Sequence, residues 1–180
     1  MQAFFSLMVF AYLAGAASAL VSPGKLRRWL PAVGAGSGAL AGIGLSIAVL
    51  VGQTPFVQVW PNVLPLAGGM SFRLDALGAF FLLLIGVGAV PAAIYGVGYS
   101  ASYEDGHASL RQLGVLFNLF LLAMSLVTLA DNVLTFLFVW EAMSLTSYFL
   151  VMTEANAGAE GGDIERAGLW YAAMTHAGLA

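Results

Sequence analysis

The segment NVLTFLFVWEAMSLTSYFLVMT, which runs from Asn132 to Thr153, decides the fold class of this chain. A helix that crosses the hydrocarbon core of a bilayer needs about 20 predominantly apolar residues. The segment has this length, and Glu141, close to its centre, is its only acidic or basic side chain. The sequence therefore predicts a transmembrane helix that carries one carboxyl group near the middle of the membrane.

A carboxylate at that depth is costly unless it is paired, hydrated or protonated. Two interpretations of Glu141 are open at this point. It can be a functional group that handles protons, or a polar anchor that hydrogen-bonds a neighbouring helix. Because ionisable residues inside membranes usually mark ion or proton pathways, we favour the first interpretation.

The composition of the whole chain is that of an integral membrane protein. Hydrophobic residues make up 61% and charged residues only 8% of the 180 residues, and the mean hydropathy is +0.92. A soluble domain carries about 25% charged residues. We therefore expect the core to be a lipid-embedded helix bundle.

The same composition excludes several classes of function. A net charge of −3 with only six basic residues is unsuited to nucleic-acid binding. The absence of cysteine excludes disulfides, thiolate metal sites and iron–sulfur ligation. The two histidines, His107 and His176, are too few and too far apart for a metal site. We predict no cofactor, no metal and no catalytic redox centre in this chain, so that any redox chemistry belongs to partner subunits.

Six hydrophobic segments predict an all-α, polytopic helix bundle that forms a single transmembrane unit over residues 1–180. The sixth segment has 14 residues from Ala167 to Ala180, or about 21 Å of helix, which is short of a core of about 30 Å. We therefore expect five complete transmembrane helices and a truncated sixth, the N-terminal piece of a longer chain. The predicted helices lie at about residues 3–21, 32–52, 74–98, 113–130, 133–152 and 166–180.

The basic residues predict how the bundle is oriented. Lys25, Arg27 and Arg28 form the densest cluster, in the first connection. Alternation of the helices places five of the six basic residues on the same side, and only Arg73 on the other. By the positive-inside rule, the N-terminus is periplasmic and the chain is a multi-pass protein of the inner (plasma) membrane.

Two further patterns concern packing and connections. Small residues at every fourth position let two helices approach closely. They are Gly34, Gly38 and Gly42 in the second segment and Ala11, Gly15 and Ala19 in the first.

Pro55, Pro61 and Pro65 forbid one continuous helix between the second and third spans. Trp60 in that connection predicts an interfacial, partly membrane-dipping segment. Asp131 and Asn132 are predicted to cap the fifth helix.

Polar residues at membrane depth suggest a proton relay. Glu141 lies about twelve residues from the inner end of its helix and His176 about ten from the inner end of the next, so their depths differ by only about 3 Å. A carboxylate and an imidazole at one level can pass a proton. For His176 a purely structural hydrogen bond is an equally open interpretation.

Four other side chains are candidates for polar support of the relay. Ser144 and Tyr148 follow Glu141 at i+3 and i+7, and so share its helix face. Asn118 and Ser125 are seven residues apart on the fourth helix. These groups could solvate a buried carboxylate or hold a water chain, although serine also commonly serves helix packing.

Three stretches of the sequence carry a resemblance to a known family. They are MSFRLDALGAFFLLLIGVGA from Met70, ADNVLTFLFVWEAMSLTSYFLVMTE from Ala130, and ERAGLWYAAMTHAGLA from Glu165. The chain resembles the proton-translocating, antiporter-like membrane subunits of complex I and its relatives. The most specific signature is W-E-x-M-S-L-x-S-Y-F-L-V around Glu141. It looks closest to the large membrane subunit of the formate hydrogenlyase and hydrogenase-four type, and multi-subunit sodium/proton antiporters share the same helix.

The resemblance implies a parent of roughly fourteen helices with inverted repeats, of which this chain is the opening part. It implies that Glu141 is a key channel residue whose usual partner is a lysine on a seventh helix, and that His176 occupies the position of a histidine in helix six. It further implies partners among the membrane and peripheral subunits of a hydrogenase or complex I-like assembly, besides the lipid bilayer and the transported protons or sodium ions.

The expected function is proton translocation within a membrane-bound oxidoreductase of the hydrogenase, formate hydrogenlyase or NADH-quinone oxidoreductase type. Two alternatives are open. The chain could be part of a multi-subunit sodium/proton antiporter, or a non-conducting membrane anchor for a hydrogenase or quinone-reducing module.

Overall fold

The computed structural model describes residues 1–61, 63, 69–100, 107–155, 166, 168–171 and 173–174. Five helices within these residues are long and apolar enough to cross a membrane, which confirms the predicted all-α, polytopic fold class. The helices are α1 (Gln2–Val21), α2 (Leu26–Gly52), α3 (Ala76–Tyr99), α4 (His107–Val127) and α5 (Val133–Ala155). Two short strands, β1 (Phe56–Trp60) and β2 (Met70–Leu74), join α2 to α3. The described residues between 166 and 174 are helical.

Two helices begin earlier than their hydrophobic runs. α2 begins at Leu26 rather than near residue 32, so its first turn contains Arg27 and Arg28. α4 begins at His107 rather than Leu113. Long basic side chains can extend from a helix end into the polar interface, and hydropathy alone therefore places the start of such a helix too late.

The small-residue faces predicted for α1 and α2 pack against each other. The backbones of Gly15 and Gly34 are in direct contact, so that neither position has room for a side chain. One turn further along α2, a Cβ on Gly38 would lie 2.8 Å from the ring of Tyr12. The predicted close approach of the two helices is confirmed.

The remaining helices surround this pair. α3 packs on α2, where a Cβ on Gly86 would lie 3.1 Å from the carbonyl oxygen of Ala39. α4 packs on α1, and α5 packs on α4. Half of the membrane-spanning window of α2 is buried but only 17% of that of α5. Within the described chain, α2 is therefore the central helix and α5 lies at the edge.

The strands form an antiparallel hairpin that the sequence pattern did not predict. Phe56 pairs with Leu74 at one end and Trp60 with Met70 at the other. Pro55 directly precedes β1, where a residue without an N–H group is tolerated. The prolines thus exclude a helix here, as predicted, but the stretch forms a short sheet in an otherwise helical fold.

The hairpin packs on one end of the bundle through aromatic rings. The ring of Phe5 in α1 lies 5.2 Å from that of Phe56, 5.8 Å from that of Trp60 and 6.0 Å from that of Phe72. Trp60 meets Phe72 edge to face at 4.9 Å. Trp60 therefore belongs to a packed cluster that joins the hairpin to α1.

Candidate functional site

Glu141 lies in the third turn of α5 and is half-buried. It is eight residues from Val133, or about 12 Å along the helix, and 14 residues from Ala155, or about 21 Å. The carboxyl group is therefore well inside a span that can cross the membrane.

The side chains of α5 divide between two faces. Thr135 and Val139 are buried on the face that packs against the bundle core. At about 100° per residue, Glu141 lies roughly 120° around the helix from Thr135. Ser144, which is buried, and Tyr148, which is half-buried, share the face of Glu141. Three of the six predicted site residues thus form one polar stripe along α5.

The helical residues near 170 pack on this side of α5. The hydroxyl oxygens of Ser147 and Tyr171 are 2.8 Å apart and form a hydrogen bond. A Cβ on Gly168 would lie 2.9 Å from the sulfur of Met152 and 3.4 Å from Cε2 of Tyr148. Because the later residue of α5 meets the earlier residue of the following segment, the two run antiparallel.

His176, the other predicted relay residue, lies outside the described residues. Its juxtaposition with Glu141 therefore stays a prediction. The pairs Ser147–Tyr171 and Met152–Gly168 give the register of the two antiparallel segments closest to it.

Asn118 is fully buried at the point where α1, α2 and α4 meet. Its side-chain amide donates hydrogen bonds to the carbonyl oxygens of Pro31 at 3.1 Å and Gly114 at 2.9 Å. Its Oδ1 lies against Gly15 and accepts no hydrogen bond from the described residues. Both hydrogens of the side-chain amide are thus hydrogen-bonded, and the bond to Pro31 joins α4 to α2.

Ser125, two turns further along α4, is buried in the same crossing. Its hydroxyl donates to the carbonyl oxygen of Leu121 at 2.7 Å and is hydrogen-bonded to the phenol of Tyr12 in α1. The observed hydrogen bonds of Asn118 and Ser125 join α4 to α2 and α1, as in helix packing. Their candidate role as polar support of Glu141 stays a prediction. Tyr12, which the sequence pattern did not single out, is 1% exposed and faces the glycine at position 38.

The start of α5 is fixed by two polar contacts. Oδ1 of Asn132 accepts the backbone N–H of Thr135 at 2.7 Å, which confirms Asn132 as an N-cap. Asp131 accepts instead from the hydroxyl of Ser71 in β2, at 3.2 Å. The backbone N–H of Asp131 also donates to the carbonyl of Ser71 at 3.0 Å. The hairpin therefore holds the end of the helix that carries Glu141.

Trp140, next to Glu141, is a further polar group that sequence reasoning missed. Its indole packs against the ring of Phe136 in a tilted arrangement, with ring centres 5.5 Å apart. The buried indole N–H finds no acceptor among the described residues. Tryptophan normally favours the membrane interface. Its position near the middle of a span could therefore have singled out Trp140 from the sequence.

Comparison with known proteins finds relatives of this chain that include a hydrogenase component and a quinone oxidoreductase subunit. It is 31% identical over 109 residues to hydrogenase-4 component B of Escherichia coli, a match that covers 61% of this chain and 15% of the relative. It is 34% identical over 156 residues to NADH-quinone oxidoreductase subunit L of Mycobacterium tuberculosis, covering 81% and 24%. An uncharacterised protein of Mycobacterium tuberculosis is 38% identical over 141 residues, covering 78% and 20%.

No family model matches the chain. The chain spans about a fifth of the length of these curated relatives, between 15% and 24%. The similarity therefore covers most of this chain but a small part of each relative.

Proposed function

We propose that this chain is part of a subunit that moves protons across the membrane. The chain is a multi-pass membrane protein and is related in sequence to the antiporter-like membrane subunits of complex I and hydrogenase-4. Its similarity to a hydrogenase component and to a quinone oxidoreductase subunit supports this general kind of function. The partners would be the other membrane and peripheral subunits of such an assembly. We further propose that it lies in the inner membrane with a periplasmic N-terminus.

The observation that carries the proposal is the polar stripe on α5. Glu141 lies about 12 Å inside the span, with Ser144 and Tyr148 below it on the same face. A carboxyl group in a poorly solvated position changes its protonation state when a nearby charge appears or leaves. In our proposal Glu141 accepts and releases the transported proton, and the two hydroxyl groups hydrogen-bond the carboxyl group or a water beside it.

The register of the neighbouring segment supports His176 as the second relay residue. Met152 meets Gly168, and Ser147 meets Tyr171. If this antiparallel pairing is extended at equal rise, the level of Glu141 corresponds to about residues 177 to 179. We therefore expect the imidazole of His176 to come within one turn of the carboxyl group of Glu141. Proton exchange between the two groups, directly or through one water, would form part of a half-channel.

Such a relay requires energy from outside the chain. Moving one elementary charge against a potential of 100 mV costs about 2.3 kcal/mol. In this proposal, electron transfer in partner subunits supplies that energy, and it acts by bringing a cationic group towards Glu141 or withdrawing it.

The test is E141Q in the full-length protein within its assembled complex, with proton movement followed by a pH-sensitive dye in inverted membrane vesicles. Glutamine keeps the shape and hydrogen-bonding capacity of the side chain but cannot ionise. We expect proton translocation to fall by at least tenfold while assembly and electron transfer continue. E154Q, the same substitution at the far end of α5, is the matched control and should leave translocation intact.

Three results would contradict the proposal in different ways. Normal proton movement by an assembled E141Q complex would exclude the relay role. Failure of E141Q to assemble would favour the polar-anchor interpretation. A signal that requires sodium and persists without electron transfer would assign the chain to a sodium/proton antiporter.

A further inference from the structure

A cavity of about 280 Å³ opens between α2, α3 and α4 at the end of the bundle that carries Arg27 and Arg28. The two arginines lie in the first turn of α2 and line its rim, together with Tyr99 at the end of α3. Deeper in the bundle the wall is apolar and includes Ala93 and Phe117. The cavity thus has a cationic mouth at the helix ends and a hydrocarbon-like interior.

One wall of the cavity contains a glycine of α3. A Cβ on Gly96, which lines the cavity, would meet no other atom within 4 Å. Phe117 and Leu110 bound the opposite wall from α4. Seven residues of helix separate these two side chains, so the apolar part extends about 10 Å along the membrane normal.

We propose that this cavity binds one anionic phospholipid, with its phosphate at Arg27 and Arg28 and part of one acyl chain along Ala93 and Phe117. Guanidinium groups bind phosphate oxygens through paired, charge-assisted hydrogen bonds. The Nε–H of Arg27 donates to the carbonyl oxygen of Ser22 at 3.1 Å, which orients the side chain at the rim. Basic pockets between transmembrane helices are a recurrent form of headgroup recognition.

The order of charge and apolar surface favours a lipid over other anions. A free phosphate would use the arginines but leave the apolar depth empty. A lipid presents its phosphate at the level of the helix ends and its chains towards the membrane centre, which is the order found here. Arg27 and Arg28 are the only charged side chains among the described residues that line the cavity.

A second groove, which α2 and α3 form on their other side, provides an internal comparison. It has a volume of about 530 Å³, lies between α2 and α3, and includes Gly36 and Gly98. No charged residue lines it among the described part of the chain. We expect this groove to accept bulk lipid chains without regard to headgroup charge.

The experiment measures lipid retention by the full-length protein, purified with increasing detergent washes and examined by native mass spectrometry. Phosphatidylglycerol and phosphatidylcholine with identical acyl chains are supplied in equal amounts. The wild-type protein should retain one phosphatidylglycerol molecule after phosphatidylcholine has been removed. R28Q should weaken this preference about fivefold, the effect of one arginine near a headgroup, whereas R111Q, a charge change outside the cavity, should leave it unchanged.

A steric pair of variants tests the acyl-chain part of the proposal. G96L places a leucine side chain in the cavity, at a position where the Cβ meets no other atom within 4 Å, and should abolish retention of phosphatidylglycerol. G98L makes the same change two residues later, in the uncharged groove, where a Cβ also meets nothing within 4 Å. It should retain the lipid as the wild-type protein does.

Several outcomes would overturn the inference. Equal retention of both lipids would exclude headgroup recognition, and equal loss in G96L and G98L would exclude this cavity as the site. Displacement of the lipid by millimolar inorganic phosphate would indicate a site for a free anion. A retained molecule with the mass of a quinone would assign the cavity to a different ligand.

Discussion

Gly15 and Asn118 lie at a closely packed crossing of three helices. A side chain at Gly15 would overlap Oδ1 of Asn118 and the backbone of Gly34. The carboxamide is held from its other end by the carbonyl oxygens of Pro31 and Gly114. Three helices therefore meet around one fully buried polar group.

We predict that G15A destabilises the protein by about 2 kcal/mol, the usual scale of an overpacked core. The midpoint of thermal unfolding in detergent measures the effect. G36A is the matched control on α2, because a Cβ at Gly36 meets nothing within 4 Å, and it should be neutral or slightly stabilising.

The double variant G15A/N118A tests whether the two residues are in contact. N118A removes the group with which the new methyl collides, so the combined loss in G15A/N118A should be smaller than the sum of the single losses by at least about 0.5 kcal/mol. Strict additivity would mean that the two residues are not in contact.

Residue-scale reasoning from sequence succeeded where helix periodicity alone decides the result. The spacing of Glu141, Ser144 and Tyr148 places them on one face whatever their neighbours are. Periodicity does not say which helix lies beside α4. The observed partners of Asn118 and Ser125 include Pro31 and Tyr12, which come from helices distant in sequence, so periodicity could not identify them.

At the scale of the elements, the start of α5 depends on its N-cap. We predict that N132A costs about 1 kcal/mol, because the backbone N–H of Thr135 loses its acceptor. N132S restores an acceptor and should recover most of the loss. Hydrogen exchange of the first-turn amides of α5 is the measurement, and unchanged protection in N132A would show that the hairpin alone holds this end.

The hairpin depends on Phe5 for its contact with the bundle. We predict that F5A destabilises the protein by about 3 kcal/mol, since the ring is 2% exposed and contacts three other aromatic rings. F10A removes the same ring from the same helix at a position that is 70% exposed and should have little effect. Equal unfolding midpoints for the two variants would contradict this packing of the hairpin on α1.

The hairpin also shows where element-level prediction from this sequence ends. Pro55 and Pro61 flank β1 and correctly exclude a helix. The pairing itself relies on a distant segment, since the N–H of Arg73 donates to the carbonyl of Leu129 at 2.6 Å and Phe72 bridges to Ala130. Local propensity contains no information about such a contact between the strand and the connection after α4.

At the scale of the whole molecule, the position of α5 matters for the proposed relay. It is the least buried of the five described helices. Glu141 shares a face of α5 with Tyr148 and Met152, which lie close to Gly168. If the proposed relay is correct, we expect the elements that pack on this face of α5 to control the protonation of Glu141.

The distribution of charge gives the whole molecule a predicted orientation. Lys25, Arg27 and Arg28 lie at one end of the α1–α2 pair, whereas Arg73 lies in the hairpin at the other. By the positive-inside rule we predict that the hairpin lies on the periplasmic side and the α1–α2 connection in the cytoplasm. Because the chain contains no cysteine, single-cysteine variants can be made without removing native thiols.

We predict that T54C reacts with a membrane-impermeant maleimide in intact cells from which the outer barrier has been removed, and that K25C reacts only after the membrane is opened. Both side chains are exposed, whereas Ser22, in the same connection as Lys25, is only 6% exposed and would give a false negative. The two sites are joined by α2, whose 27 residues extend about 40 Å, so they must lie on opposite sides of a membrane that this helix crosses. Labelling of K25C in sealed cells, with T54C protected, would invert the orientation, and the phospholipid proposed at Arg27 and Arg28 would then belong to the outer leaflet.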